Sequence, residues 1–282
     1  MSTIETFSTL CGTFAVDTKK DAKVAQPLQQ GECHQKEVID MLSAFLEKGG
    51  AAVDVGAHIG TISIPLAVQG ANVVSFEPNP EVFALLEKNA TLNGVVIDAR
   101  KRGLGAKRGR AILNEGGKGN AGSRSLTEGD GDIEVSLLDD EVERADVIKL
   151  DVEGMELMVL RGAEKLLRRS QPVLLLEINP LQMRTYDISS RSIDSFLRAH
   201  GYRLFLSIPT EGKTVLGEIG SLPLVTILKN PSLLFSTRRS GIFDIVAIPH
   251  GRTIPFQTFS LTRTLLAITR DKISDLIRRY LS

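Results

Sequence analysis

Cysteine is nearly missing from this chain of 282 residues: Cys11 and Cys33 are the only two, and they do not stand at metal-ligand spacing. No secretory leader precedes them, so the reading is a pair of reduced thiols in a cytoplasmic protein, with no disulfide framework. The four histidines are scattered at 34, 58, 200 and 250 and make no ligand-rich set. A dense Lys/Arg run is also lacking, and 34 basic residues cancel 34 acidic ones. That removes the electrostatic footprint of a nucleic-acid binder. Long hydrophobic runs are absent too: "PVLLLEI" is too short to cross a bilayer, and "AAVDVGAHIGTISIPLAV" is broken by Gly, Asp and His. What is present, 42% apolar and 24% charged residues, describes a soluble globular chain with a sizeable core.

Short β-branched runs alternate with helical patterns, the behaviour of an α/β fold with a parallel sheet. Strands are predicted at "AAVDV" (51–55), "NVVSFE" (72–77), "VVIDARKRG" (95–103), "ADVIKLD" (145–151) and "PVLLLEI" (172–178). "NPEVFALLEKNATLNG" reads as a helix with Asn79 as cap, Pro80 in the first helical position and Asn93-Gly94 as its end. "MELMVLRGAEKLLRR" reads as one further helix, "SRSIDSFLRAHGY" as another, and "YRLFLSI" with "GIFDIVAIP" as a closing antiparallel pair. Three domains of unequal weight follow: an N-terminal extension over 1–35, a core over 36–250 and a helical tail over 251–282, for which docking on the core is preferred to a membrane surface. The Gly-rich stretch 114–132 is predicted to be a mobile loop of the kind that closes over sites.

The turn at "VDVGAHIG" limits the ligand. A phosphate-binding P-loop needs a lysine that this turn does not have. A dinucleotide fingerprint needs G-x-G-x-x-G, and in that register Asp54 and Ile59 replace the first and third glycines, leaving Gly56. D-x-G-x-x-x-G, formed by Asp54, Gly56 and Gly60, suits a ligand with an ammonium near the turn and no pyrophosphate. Glu77 ends the next strand, 21 residues beyond Gly56, where an acid hydrogen-bonds the hydroxyls of a ribose. An aminoacyl group joined to a ribose describes S-adenosylmethionine.

On "VDVGAHIG", "SFEPNPEVFALLEKNATLNG", "VIKLDVEGMELMVLRGAEKLL" and "PVLLLEIN", in that order over residues 31–249, the chain resembles the FkbM-type S-adenosylmethionine-dependent methyltransferases. These modify hydroxyls of natural products, sugars and glycans. The resemblance implies a class I, Rossmann-like, doubly wound sheet, mostly parallel and seven-stranded with an antiparallel last strand. It places cofactor at the first two strands and substrate beyond the fourth and fifth. Asp54, Gly56, Ala57, His58, Gly60, Glu77, Pro78 and Asn79 are then the cofactor-binding candidates; His58 stands where the family usually has Asn.

An alcohol acceptor needs a base, and carboxylates gather at the strand ends: Asp151, Glu153 and Glu177 are the catalytic candidates, with Lys149 on the same strand side and Glu156 opening the next helix. Mg²⁺ held by these acids is a second, less favoured reading. His34 and Glu37 read more simply as a solvated helix face than as cavity groups, and His200 as a structural or solvent-facing residue. Asn179-Pro180 resembles the motif of amino-group methylases but lacks its second proline and aromatic. The function expected is O-methylation of a small-molecule or glycan hydroxyl, without nucleic acid as partner. The rivals are a catalytically silent methyltransferase-fold scaffold and a nucleotide-dependent oxidoreductase.

Overall fold

The computed structural model describes residues 3–114, 125–210, 213–221, 224 and 242–261. Strands β1 (Ile4–Thr9) and β2 (Gly12–Asp17) form an antiparallel hairpin, and helices α1 (Ala22–Gln29) and α2 (Lys36–Ala44) follow. The chain then alternates: β3 (Ala51–Val55), α3 (Ser63–Val68), β4 (Asn72–Phe76), α4 (Pro80–Leu92) and β5 (Asp98–Arg100). A small four-stranded sheet intervenes, built from β6 (Gly103–Leu104), β7 (Gly109–Leu113), β8 (Leu126–Glu128) and β9 (Ile133–Ser136). After α5 (Leu138–Glu141) come β10 (Val147–Leu150), α6 (Glu156–Arg161), α7 (Glu164–Ser170), β11 (Val173–Ile178), α8 (Pro180–Met183) and α9 (Ser190–Ala199). The last described strands are β12 (Tyr202–Thr210), β13 (Lys213–Glu218), β14 (Phe243–Pro249) and β15 (Thr258–Ser260).

The main sheet runs β15-β13-β12-β14-β11-β10-β3-β4-β5. From β5 to β11 every pairing is parallel, and β14 lies antiparallel to both of its neighbours, β11 and β12. β5, β4, β3, β10, β11, β14 and β12 make the expected seven-stranded class I, Rossmann-like sheet, and β13 and β15 extend it to nine strands. Residues of β10 and β11 are almost continuously apolar because both faces are covered: one core contains Leu150, Leu174 and Leu176, the other Val147, Val173 and Leu175. The strand order reverses between β3 and β10, so their carboxyl ends flank the crevice where open α/β sheets bind ligands.

Asn79 caps α4 as expected, its side chain accepting from the Glu81 amide at 3.1 Å, with Pro80 in the first turn. The same helix holds the N-terminal hairpin with two amide side chains. Asn89 accepts from the Ala15 amide at 2.7 Å and donates to the carbonyls of Ala15 and Ile59, while Asn93 exchanges hydrogen bonds of 2.8 and 2.7 Å with the backbone of Thr13. These side chains satisfy β2 as a neighbouring strand would.

Several expectations are corrected. Cys11 and Cys33 form a disulfide, with Cα atoms 5.4 Å apart, because the hairpin turn folds against the segment before α2. The strand expected at 95–103 is two short ones, β5 in the main sheet and β6 in the small one. The single helix expected over "MELMVLRGAEKLLRR" breaks between α6 and α7. A side chain at Gly162 would overlap the Gly105 carbonyl, and the Asp139 carboxylate accepts the amides of Lys165 and Leu166 as a fresh helix start. Part of the predicted loop 114–132 is strand β8, and residues 115–124 lie outside the described residues, as does the tail beyond residue 261. Asn179-Pro180 is the cap and first turn of α8, Asn179 accepting from the amides of Leu181 and Gln182. Among the described residues no helix is long and apolar enough to cross a membrane.

Candidate functional site

Beyond β3 the chain turns through Gly56, His58 and Gly60, all at positive φ (79°, 54° and 90°). The two glycines serve different neighbours. A side chain on Gly56 would overlap the carbonyl of Asp151, so its absence lets the ends of β3 and β10 close on one another. A Cβ on Gly60 would lie 2.7 Å from Leu86 and 2.8 Å from Ile64, so Gly60 packs the turn against α4 and is not among the cavity-lining residues. The amides of Gly56 and Ala57 both donate to the Phe76 carbonyl, tying this turn to the end of β4.

Glu77 follows β4 directly and is buried. Its Oε2 accepts from the His58 amide at 3.0 Å and its Oε1 from the Asn79 amide at 2.9 Å, which fixes the carboxylate at the cavity wall. Burial raises its pKa, opposed by the charge of His58 and by the two backbone hydrogen bonds.

Asp54 does not meet the cavity, contrary to expectation. It is 1% exposed; its Oδ1 pairs with the Lys149 ammonium at 3.2 Å, and its Oδ2 accepts from the Ser63 hydroxyl at 2.6 Å. Parallel register places Lys149 directly beside Asp54, and the ammonium also donates to the Gly56 carbonyl at 3.1 Å and lies 3.6 Å from Asp151. Burial disfavours charge on Lys149, but Asp54, Asp151 and Glu177 more than offset it, and its pKa stands above the ordinary lysine value.

The acids expected to face an acceptor do converge. Asp151, Glu153 and Glu177 all line the cavity that contains Glu77, Pro78, Asn79, Gly56, Ala57 and His58. Glu153 occupies left-handed backbone (φ 54°), unusual for a residue with a side chain. Its carboxylate accepts from the Gln182 side chain, and the next residue, Gly154 (φ 100°), passes so close to α8 that a Cβ would sit 2.7 Å from the Gln182 backbone. Glu156, buried behind, accepts from the Gly154 amide at 3.1 Å and holds this turn shut. Burial and then the Asp151 charge push Glu153 up to about 8; the Asp151 charge, followed by burial and Asp244, pushes Glu177 up to about 8; burial brings Glu156 to about 7. Among the described residues no three His, Cys, Asp or Glu side chains are grouped to hold a metal ion.

One wall comes from the N-terminal segment, of which the sequence singles out only His34 and Glu37, and those as a solvated helix face. Lys23 and Val24 of α1, with His34 and Gln35 before α2, line the same cavity. His34 is therefore no solvated helix face; its Nδ1 lies 3.5 Å from the Thr61 hydroxyl. His58, at the position noted as unusual, reaches out of the turn to Asp21 at 2.9 Å. Burial works against charge on His58, yet Asp21, Glu77 and Asp151 raise its pKa above the usual value. No motif marks Lys23, Val24, His34 or Gln35, because their place depends on the hairpin docking against Asn89 and Asn93, some 75 residues away along the chain.

Over residues 54–204, just over half of the chain, the sequence matches the family model described as Methyltransferase FkbM domain. A hexuronic acid methyltransferase of Haloferax volcanii is 35% identical over 135 residues, covering 45% of this chain. The chain spans 56% of the length of that relative. Among solved structures, a methyltransferase FkbM of Methylobacillus flagellatus KT aligns with 17% identity and a TM-score of 0.42, over 72% of this chain and 44% of that one. The tRNA (uracil-54, C5)-methyltransferase of Pyrococcus abyssi, solved with S-adenosyl-L-homocysteine, aligns with 13% identity and a TM-score of 0.43, over 86% of this chain and 43% of that one. With the motif blocks in order and more than half of its length under the family model, the chain belongs to the FkbM methyltransferase family.

Proposed function

We propose that the chain is an S-adenosylmethionine-dependent O-methyltransferase acting on a hydroxyl of a sugar, glycan or related secondary metabolite. One observation carries this reading: Glu77, anchored by two backbone amides, shares a single cavity with Asp151, Glu153 and Glu177. The sheet orders these groups laterally. Arg102 and Gly103 follow β5, Glu77 follows β4, Gly56 follows β3, Asp151 follows β10, and Glu177 lies on β11. A ligand with its ribose at Glu77 then has its base toward β5 and its aminoacyl end toward Gly56, leaving β10 and β11 for the acceptor. The donor set fits, since Glu77 would offer lone pairs to ribose hydroxyls at the cavity wall.

When bound, S-adenosylmethionine supplies a methyl group whose bond to sulfur breaks with the electron pair returning to sulfur. The protein's part is to align the acceptor oxygen and receive its proton. Asp151 is the proposed acceptor of that proton. Glu153 and Glu177, holding their own protons at neutral pH, are proposed to orient the acceptor. The hexuronic acid methyltransferase among the relatives supports a sugar as acceptor.

Calorimetric titration with S-adenosylmethionine, S-adenosylhomocysteine and NAD tests the reading. Micromolar binding of the first two without NAD is the expected result. Binding of NAD overturns the enzyme class, and binding of none of them favours a silent scaffold.

A further inference from the structure

The acceptor end of the cavity is rich in acids, so the basic groups around it decide what charge it admits. Among the described residues that line the cavity, most of the cations are committed. Lys149 is held by Asp54 and Asp151, Arg102 by Glu141 at 2.9 Å and Glu134 at 3.3 Å, and His58 by Asp21. His34 stands against Thr61. Lys23 differs. It lines the cavity with no ion pair or hydrogen bond of its own, yet its charge acts on both Glu153 and Glu177.

The helix that bears the exposed Lys23 side chain is held in place. Val24, Ala25 and Leu28 of the same helix are buried against Ile59, Ile64 and Val82, Asp21 pairs with His58, and Lys20 pairs with Glu81 at 2.7 Å. The helix therefore brings Lys23 to the wall of the cavity, close enough for its charge to act on Glu153 and Glu177 but not in ion-pair contact with them. A cation so placed, with space between it and its nearest opposite charges, suits an anionic group on the ligand. The acids oppose such a group less at neutral pH than their number suggests: Glu153 and Glu177 keep their protons up to about 8, and the Lys149 ammonium lies 3.6 Å from Asp151.

Building on the reading of this cavity as a methyl-transfer site, we propose that the acceptor is an acidic sugar, its carboxylate paired with Lys23 while its reacting hydroxyl faces Asp151. The first thirty-five residues thereby set acceptor choice, and the parallel sheet supplies the transfer chemistry.

The test compares methyl β-D-glucuronide with methyl β-D-glucoside, which differ in the carboxylate, using labelled S-adenosylmethionine and the full chain. Wild type is expected to favour the glucuronide by about tenfold or more in kcat/KM. Lys23→Ala should lose most of that preference, through a raised KM for the glucuronide, with the affinity for S-adenosylhomocysteine unchanged, and Lys23→Arg should retain it. Equal use of the two sugars by wild type, preference for the neutral one, or parallel loss of both in Lys23→Ala overturns the proposal. So does turnover of neither sugar by protein that binds S-adenosylhomocysteine. Protein that binds no S-adenosylhomocysteine removes the cofactor reading first, and the two failures are thereby told apart.

Discussion

Each oxygen of the Glu77 carboxylate takes one backbone amide, from His58 or Asn79, and keeps a lone pair for a ligand. Glu77→Ala should therefore weaken S-adenosylhomocysteine binding by about one to two orders of magnitude, corresponding to ~1.5–3 kcal/mol of charge-assisted hydrogen bonding. Calorimetry reads this directly, and unchanged affinity removes Glu77 from the ribose. Asp151→Asn should leave that affinity intact and cut turnover by roughly a hundredfold or more, the usual scale of a lost general base; a variant with full kcat takes Asp151 out of the chemistry. Glu77 and Asp151 were legible as strand-end acids. Asp54 was not: its spacing matched a ligand-facing acid, but the register of β3 with β10 sets it beside Lys149, a pairing between residues 95 positions apart that no local pattern encodes.

At the scale of elements, the N-terminal arm is held from several sides: the Cys11–Cys33 bridge, the amide ladder from α4 and the Asp21–His58 pair. The bridge closes a loop with a sequence separation of 22, worth about 3 kcal/mol of unfolded-state entropy. Reduction, or Cys11→Ser with Cys33→Ser, should lower the melting temperature by roughly 6–12 °C, at ~2–4 °C per kcal/mol. It should also weaken S-adenosylhomocysteine binding, because His34 and Gln35 adjoin Cys33 and line the cavity. A melting temperature unmoved by reductant would mean that the bridge is not formed. The β/α alternation and the cap of α4 were readable because they rest on local periodicity and turn chemistry. The disulfide was not, since it is created by the docking of the arm, and with it goes the cysteine argument for a reducing compartment.

For the molecule as a whole, the folded state holds protons that the unfolded chain gives up. Glu153 and Glu177 titrate near 8 when folded and near the ordinary glutamate value when unfolded, and His58 is likewise raised. The native state thus binds more protons between about pH 4.5 and 8, and stability falls as pH rises through that window. Melting temperature should decline from pH 6 to 9, with Glu153→Gln and Glu177→Gln flattening the slope. A melting temperature that climbs over this range contradicts the buried protonated acids.

The family model begins at Asp54, whereas the cavity's outer wall comes from α1 and the segment beside Cys33. The arm meets the core through β2 backbone groups held by Asn89 and Asn93, through apolar packing of Phe14, Val16, Val24 and Leu28 on Ile59, Ile64 and Val82, and through the Asp21–His58 pair, all outside the hydrogen-bond ladder of the main sheet. The acceptor contact proposed for Lys23 and the register that pairs Asp54 with Lys149 therefore come from separate stretches of the chain, so a change in the arm reaches the cavity wall without altering the pairing of β3 with β10.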